Sequence, residues 1–268
     1  MENSKLSKGT KITLSILLII IGALLVISTI VFQKQLPEFL IYFINILGAI
    51  ILFIGISFIY STLKSNSTRL SIKQMSLIAI QSAISVILYY FVKFNVPFFP
   101  PWLDIQVSEI PALITGFAYG PYAGCLVIFV RFITKLPATI TAGVGELADF
   151  ILGSVLVCVS SRIYHYRKSI KTALIGISTS VAICTILACV LNWLVLIPAY
   201  IYLANFPLEA LVGMMNYIPN IEVTTENFML VYIFIGVLPF NIVRYILVSL
   251  LTFVLYKKTH FLLDKLSK

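Results

Sequence analysis

Four ionisable residues lie within or at the ends of strongly apolar stretches of the chain: Arg131, Glu146, Asp149 and Arg244. An ionised side chain at membrane depth is disfavoured by roughly 2.5–3.5 kcal/mol on insertion scales, so each is a candidate functional residue. Structural alternatives stay open for three of them. Arg131, with Lys135 one turn later, either snorkels to an interface or pairs with acids across the bundle. Glu146 and Asp149 fall in the first turn of a helix, where a carboxylate is also a stabilising cap.

Arg244 is harder to explain by a structural role. It follows Asn241 by three residues, so the two side chains share a helix face and are predicted to form a polar pair in an apolar stretch. Asn192 and Trp193 place an amide and an indole inside another apolar segment, where both need hydrogen-bond partners. Binding, rather than packing alone, is therefore predicted for these residues.

A segment rich in proline and aromatic residues, Pro97 to Asp104, adds Trp102 and is unsuited to a helix. Together with the amides and Arg244, it predicts a pocket for a planar solute that forms hydrogen bonds. These residue types are not typical of an ion pore.

Motifs of several enzyme classes are missing from the sequence. Without Gly-x-x-x-x-Gly-Lys-Ser/Thr, the chain cannot hold nucleotide phosphates in the manner of a P-loop or power transport alone. His-Glu-x-x-His and Gly-x-Ser-x-Gly are missing too, and the cysteines and histidines lack the spacing of metal ligands. Glu146 with Asp149 is a conceivable acid pair, but no nucleophile accompanies it. No catalytic residue and no metal site are predicted.

Membrane-spanning helices must position these residues. The 268 residues are 60% hydrophobic and 11% charged, whereas soluble domains are about 25% charged. This composition excludes a soluble enzyme, a disordered tail and a nucleic-acid-binding module, despite a net charge of +9. A span needs about 20 apolar residues. The candidate spans, some of them shorter than this length, are residues 12–32, 39–63, 75–92, 110–118, 122–133, 147–159, 173–199 and 229–256.

Basic residues indicate the topology. Of the 19 Lys and Arg residues, 14 lie in four segments, 1–11, 61–73, 162–171 and 257–268. Because cytoplasmic loops are enriched in basic residues, about eight spans with both termini in the cytoplasm are predicted. A six-span arrangement with a re-entrant loop near Gly120 and Pro121 gives the same number of basic residues in cytoplasmic segments. A polar linker, residues 64–73, divides an N-terminal transmembrane hairpin (1–63) from the core (74–268).

Several motifs occur in an order that resembles one transporter family. They are LDIQVSEIPAL at 103–113, GPYAG at 120–124, GVGELADF at 143–150, NW at 192–193 and PFNIVR at 239–244. Together they resemble the substrate-binding (S) component of energy-coupling factor (ECF) vitamin transporters, and most of all its riboflavin-specific members. The likeness covers residues 70–260.

The resemblance implies an all-α integral membrane protein of the bacterial cell membrane. Its six-helix S-component core, here preceded by the two-helix hairpin, would capture riboflavin or a close flavin with high affinity from outside the cell. Its partners would be an ECF transmembrane coupling protein, two ABC-type ATPases and the lipid bilayer, with no nucleic acid and no cofactor besides the transported riboflavin. An Ala-x-x-x-Ala motif for docking the coupling protein corresponds to Ala79 and Ala83, small residues that permit close helix approach.

Ligand-binding residues follow from the same resemblance. The family's amides and basic residue correspond to Asn192, Asn241 and Arg244, the last usually Lys in riboflavin members, and Asp149 stands where Asn is more usual. The expected set also includes Glu146, Trp102, Asp104, Trp193 and Tyr217, with residues 97–104 forming part of an outer gate. The alternatives are an S component for another vitamin, such as folate or pantothenate, and an ion-coupled secondary carrier, which would need no ATPase partner.

Overall fold

A computed structural model of the chain describes residues 8–31, 44, 48, 70–96, 99–100, 102–139, 143–202, 206–215 and 221–267. The chain divides into two units, Met1–Arg69 and Leu70–Lys268. In the first unit, helix α1 spans Lys8–Val31, and its apolar side chains, such as Leu17 and Leu24, are largely exposed. Apart from residues 44 and 48, the second helix predicted for the hairpin (39–63) lies outside the described residues.

Helices build the second unit. They are α2 (Ile72–Phe91), α3 (Ile110–Tyr119), α4 (Pro121–Lys135), α5 (Val144–Arg167), α6 (Ile170–Leu191), α7 (Ile197–Tyr202), α8 (Leu208–Gly213), α9 (Phe228–Val231) and α10 (Leu238–Ser267). Two short antiparallel strands, β1 (Lys93–Asn95) and β2 (Asp104–Gln106), follow α2, with Phe94 opposite Ile105. A short 3-10 turn, Leu136–Ala138, continues α4.

Five described segments are long and apolar enough to cross a membrane: Ile72–Phe91, Pro121–Ala138, Val144–Arg167, Ile170–Tyr202 and Phe228–Tyr256. Helix α3, with 10 residues, is too short to cross alone and forms a tight pair with α4. The predicted helical membrane fold is confirmed at this level. Eight spans and cytoplasmic termini stay predictions.

Glycines let α3, α4 and α5 approach one another closely. Gly120, between α3 and α4, has φ +98°, a backbone conformation that residues with a Cβ rarely adopt, and Pro121 then begins α4. A Cβ on Gly124 would lie 2.4 Å from Cγ1 of Val157 and 2.6 Å from the carbonyl oxygen of Ala112. Only glycine therefore fits where these helices cross.

Two π-helical turns, Asn192–Leu196 and Tyr232–Val237, widen the helices between α6 and α7 and between α9 and α10. Each turn ends two residues before a proline, Pro198 or Pro239. Because proline has no N–H for the α-helical ladder, the chain widens locally, and the N–H of Ile197 bonds to the oxygen of Asn192, five residues back. Such turns are frequent at functional sites, and each one here begins with a polar residue.

Chain direction brings several element ends together. Strand β1 follows the end of α2, β2 precedes α3, and α4 ends where α5 begins after one short connection. These ends and the start of α9 form one end of the bundle. We call it the hairpin end after the β1–β2 hairpin, which is distinct from the N-terminal transmembrane hairpin. All candidate ligand-binding residues on described elements lie in this half.

Candidate ligand-binding site

Asp149 is the centre of a group of buried ion pairs. It lies in the second turn of α5 and is 9% exposed. Its Oδ2 accepts hydrogen bonds from Nη2 of Arg131 at 3.0 Å and Nζ of Lys135 at 2.8 Å, both on α4. Its Oδ1 accepts one from Nη2 of Arg244 on α10 at 3.0 Å. One carboxylate therefore joins three helices.

Glu109, directly before α3, is the second acid of this group. Its carboxylate is 1% exposed, accepts a hydrogen bond from Nη2 of Arg244 and lies 3.8 Å from Nη1 of Arg131. Nη1 of Arg131 also donates to Oγ of Ser108 at 2.6 Å, and Oγ of Ser85 on α2 donates to the carbonyl of Ser108 at 2.6 Å. The group thus extends to α2 and α3.

We call Glu109, Arg131, Lys135, Asp149 and Arg244 the ion-pair cluster. It contains three bases and two acids, and Nζ of Lys135 also lies 4.0 Å from the ring centre of Tyr89. Removing one partner of a buried ion pair leaves an uncompensated charge, which is destabilising by about 3–5 kcal/mol. In the described part of the chain, no three His, Cys, Asp or Glu side chains are grouped so as to hold a metal ion.

The cluster settles one question that the sequence leaves open and changes one expectation. Arg131 and Lys135 pair with acids across the bundle instead of snorkelling. Arg244 pairs with Glu109 and Asp149, whereas Nδ2 of Asn241 donates to the carbonyl of Val237 at 2.8 Å, so the expected Asn241–Arg244 contact is replaced by contacts to other groups.

Glu109 is absent from the predicted set. It could have been recognised as a carboxylate at the start of a short apolar helix, because the other charges expected in the core are mostly basic and need acidic partners.

Glu146 lies one turn before Asp149 and is 9% exposed. Its Oε2 accepts a hydrogen bond from Oγ1 of Thr139 at 2.8 Å, and that hydroxyl accepts one from the N–H of Gly143 at 2.9 Å. Gly143, with φ +85°, sets the turn into α5. A carboxylate in the first turn is also stabilised by the helix dipole, so the turn fixes Glu146 beside the cluster.

A second polar group joins Trp102, Tyr232 and Asn192. Nε1 of Trp102 donates to the hydroxyl of Tyr232 at 3.1 Å, and this hydroxyl donates to Oδ1 of Asn192 at 2.7 Å. Nδ2 of Asn192 donates to the carbonyl of Ala188 at 2.8 Å. Tyr232 is fully buried and Asn192 is 5% exposed. Tyr232 is not in the predicted set, because the sequence alone does not distinguish it from other tyrosines in apolar spans.

Phe99, Pro100 and Trp102, which we call the strap, contact one face of the last membrane-spanning segment. The rings of Phe99 and Phe240 meet edge to face with centres 5.4 Å apart, and those of Trp102 and Tyr232 are 5.8 Å apart. Between them, a Cβ on Gly236 would lie 3.2 Å from Cγ of Pro100. Tyr232, Gly236 and Phe240 are spaced four residues apart, so the strap lies along a single face of this segment.

The other residues predicted for the site lie apart from these two groups. Asp104, in β2, has a partly exposed side chain, and its Oδ2 lies 3.8 Å from Nζ of Lys93 in β1. Trp193 is 42% exposed although Asn192 beside it is buried, so the two face different ways. Tyr217 lies outside the described residues.

An apolar groove of about 620 Å³ runs between α2 and α4. Ala79 and Ala83 line it from α2 and are exposed, while Leu126 and Val130 line it from α4. Two alanines four residues apart leave room for a further helix to approach closely.

A family model described as the substrate-specific component of ECF transporters matches residues 73–256, more than two thirds of the chain. The chain is an ECF transporter S component. The family consists of membrane transporter subunits and not enzymes, and the membrane-spanning helices described above agree with this. The first 72 residues precede the matched range.

Named relatives and a solved structure are similar to this S component. It is 30% identical over 186 residues to the riboflavin transporter RibU of Staphylococcus aureus (strain TCH60), covering 69% of this chain and 89% of the relative. It is 24% identical over 192 residues to the riboflavin transporter FmnP of Bacillus subtilis (strain 168), covering 70% and 93%. A solved S component of a bacterial ECF transporter is 29% identical with a TM-score of 0.55, covering 71% of this chain and 97% of that one.

Proposed function

We propose that this S component binds riboflavin from outside the cell for uptake by an ATP-driven ECF transporter. Relatives named as riboflavin transporters align over about 70% of this chain. The sequence motifs indicate the same vitamin.

The observation that carries the proposal is a pair of buried amides. Asn192 and Asn241 are 5% and 4% exposed, and Nδ2 of each donates to the carbonyl four residues earlier. A carboxamide has two N–H bonds and two oxygen lone pairs, so each amide has donor and acceptor capacity beyond these contacts. The dione edge of riboflavin alternates carbonyl and N–H groups, and two fixed amides complement that pattern.

Arg244 is proposed to add a cationic donor beside these amides. Its Nη2 is engaged by Glu109 and Asp149, but a guanidinium has five N–H bonds, and Nε has no hydrogen-bond partner among the described residues. The acids hold the guanidinium in place, so it needs no rearrangement when a ligand binds.

Glu146, Trp102, Asp104, Trp193 and Tyr217 complete the proposed ligand-binding set. Trp102 has the most direct structural support, because one hydroxyl links its indole to Asn192. The hairpin end would face outward, since most basic residues lie in segments assigned to the cytoplasm. The strap would then be part of the outer gate.

The groove with Ala79 and Ala83 is proposed to dock the transmembrane coupling protein of the ECF module. Its lining is almost entirely apolar and its alanines are exposed, as a helix-packing surface in a membrane requires. The two ATPases would supply the energy that this chain, lacking a P-loop motif, cannot supply alone.

Riboflavin titration of the purified full chain tests the proposal. We expect saturable quenching of riboflavin fluorescence at submicromolar ligand, and no displacement by excess folate or pantothenate. Displacement by either would assign another vitamin, and no riboflavin binding at micromolar concentration would reject the function. Uptake that persists without an ATPase module would favour an ion-coupled carrier.

A further inference from the structure

The hydroxyl of Tyr232 is placed between a residue of the strap and a proposed ligand-binding amide. It lies 3.1 Å from Nε1 of Trp102 and 2.7 Å from Oδ1 of Asn192. Tyr232 is fully buried, so water does not compete for these bonds. One atom therefore connects a segment outside the helices to the interior of α6 and its π turn.

Donor and acceptor roles at this hydroxyl follow from chemistry. An indole N–H only donates, so the oxygen of Tyr232 must accept from Trp102. The hydroxyl proton is then directed to Asn192, whose oxygen must face Tyr232. Its NH₂ group consequently points the other way, with one N–H on the carbonyl of Ala188 and a second N–H that has no hydrogen bond to any residue the structure describes. Tyr232 and the carbonyl of Ala188 thus together determine which edge of the amide is presented.

We propose that Tyr232 is a positioning residue for vitamin binding: it orients the Asn192 amide toward the ligand and ties that orientation to a closed strap. This inference rests on the proposed function. Opening of the strap would remove the indole donor, while the hydroxyl would still donate to Oδ1 of Asn192. Because linked hydrogen bonds strengthen one another, the amide would be held less tightly when the gate opens.

The ring of Tyr232 is held independently of its hydroxyl. It stacks on Phe228 with ring centres 5.6 Å apart and an angle of 3° between the planes, and it belongs to a buried apolar cluster that includes Leu152, Ala188 and Ile197. A Tyr232→Phe substitution therefore keeps the packing and removes only the hydrogen bonds.

Tyr245 provides the matched control. It lies on the same long helical segment and is 1% exposed, but its hydroxyl has no hydrogen-bond partner in the described part of the chain. Loss of one buried hydrogen-bonding group is expected to weaken affinity about tenfold. Tyr232→Phe should raise the Kd for riboflavin by that factor, mainly through faster dissociation, whereas Tyr245→Phe should change it less than twofold.

A double substitution separates positioning from general destabilisation. If Tyr232 acts through the amide, Tyr232→Phe should have almost no further effect on the Kd in a protein that already carries Asn192→Ala. An equal loss of affinity in both backgrounds would overturn the positioning role. The positioning role would also be overturned if the unaltered protein binds riboflavin and Tyr232→Phe leaves the Kd unchanged. If the unaltered protein does not bind riboflavin, the proposed function itself is rejected.

The strap connection is measurable without ligand. The chain has two tryptophans, so Trp193→Phe leaves Trp102 as the single tryptophan, whose emission is selected over that of the tyrosines by excitation at the long-wavelength edge of indole absorption. In that protein, Tyr232→Phe should raise acrylamide quenching of Trp102 about twofold, because the indole loses its acceptor, and Tyr245→Phe should not. Equal quenching in Trp193→Phe alone and in its combinations with Tyr232→Phe and Tyr245→Phe would show that the hydroxyl does not hold the strap.

Discussion

At the residue scale, the two oxygens of Asp149 accept hydrogen bonds from three cations. Asp149→Ala should leave Arg131, Lys135 and Arg244 facing Glu109 as the remaining acid of the ion-pair cluster. We expect the protein to lose about 3–5 kcal/mol of stability, because buried charge is left uncompensated. Thermal unfolding of the purified protein in detergent would measure this loss.

Asp104→Ala is the control for that substitution. Its pair with Lys93 spans 3.8 Å and is partly exposed, so the expected loss is only about 0–1 kcal/mol. Equal destabilisation by the two substitutions would mean that the cluster does not stabilise the bundle.

Asn241 offers a second test at this scale. Asn241→Ala should weaken riboflavin binding by about 1–3 kcal/mol, since a polar group of the ligand would lose its partner in a buried site. Isothermal titration of both proteins would give the difference. Asn227→Ala is the control, because Asn227 is half-buried and, within the described part of the chain, bonds to residues of its own turn. An unchanged affinity would remove Asn241 from the proposed site.

Residue types were easier to predict than their partners. The sequence indicates Arg131, Asp149 and Arg244 because an ionised group is disfavoured in an apolar span. It does not show that Arg244 meets Glu109, which is 135 residues away in the chain, because that contact depends on how α3 and α10 pack. Tyr232 is missed for the same reason, since its role comes from Trp102 and Asn192 and not from its own surroundings in the sequence.

At the scale of elements, Gly236 allows the strap to lie against the last membrane-spanning segment. In Gly236→Ala, the added Cβ would lie 3.2 Å from Cγ of Pro100, so the strap must shift outward by a few tenths of an ångström. We expect riboflavin to dissociate severalfold faster, because contacts of Phe99 and Trp102 on either side are weakened together. Stopped-flow dissociation measures this rate.

Gly213→Ala is the matched control, since its Cβ would meet nothing within 4 Å. It should leave the dissociation rate of riboflavin unchanged. If both alanine variants release riboflavin at the rate of the unaltered protein, close approach of the strap at Gly236 is not needed to retain the ligand.

Helix positions follow well from apolar runs, whereas local irregularities do not. The predicted segment 110–118 is found as Ile110–Tyr119, and 122–133 is found within Pro121–Lys135. The strands β1 and β2 have three residues each, which is too short for an alternating pattern to be recognised. The π turns arise where a proline interrupts the ladder, and the sequence shows the proline but not how the helix adjusts.

At the scale of the whole core, proposed ligand binding and proposed partner docking use different surfaces. The candidate ligand-binding residues are buried near the hairpin end, whereas the groove with Ala79 and Ala83 lies on the outer face of α2 and α4. Ser85 of α2 bonds to the carbonyl of Ser108, next to Glu109, so the helix that carries the groove also contacts the ion-pair cluster. The two surfaces are therefore separate but share helix α2.

This separation makes uptake and binding separable by mutation. Replacing Ala79 and Ala83 together by leucine fills the groove and should prevent a partner helix from approaching. Uptake of riboflavin by cells should then fall to the background of an empty vector, while the purified variant keeps its Kd within about twofold, because neither alanine contacts the polar groups of the site. Ala182→Leu, which changes an exposed alanine on α6 outside the groove, should support normal uptake. Loss of uptake and binding together would indicate misfolding, and normal uptake by the double variant would mean that the coupling protein docks elsewhere.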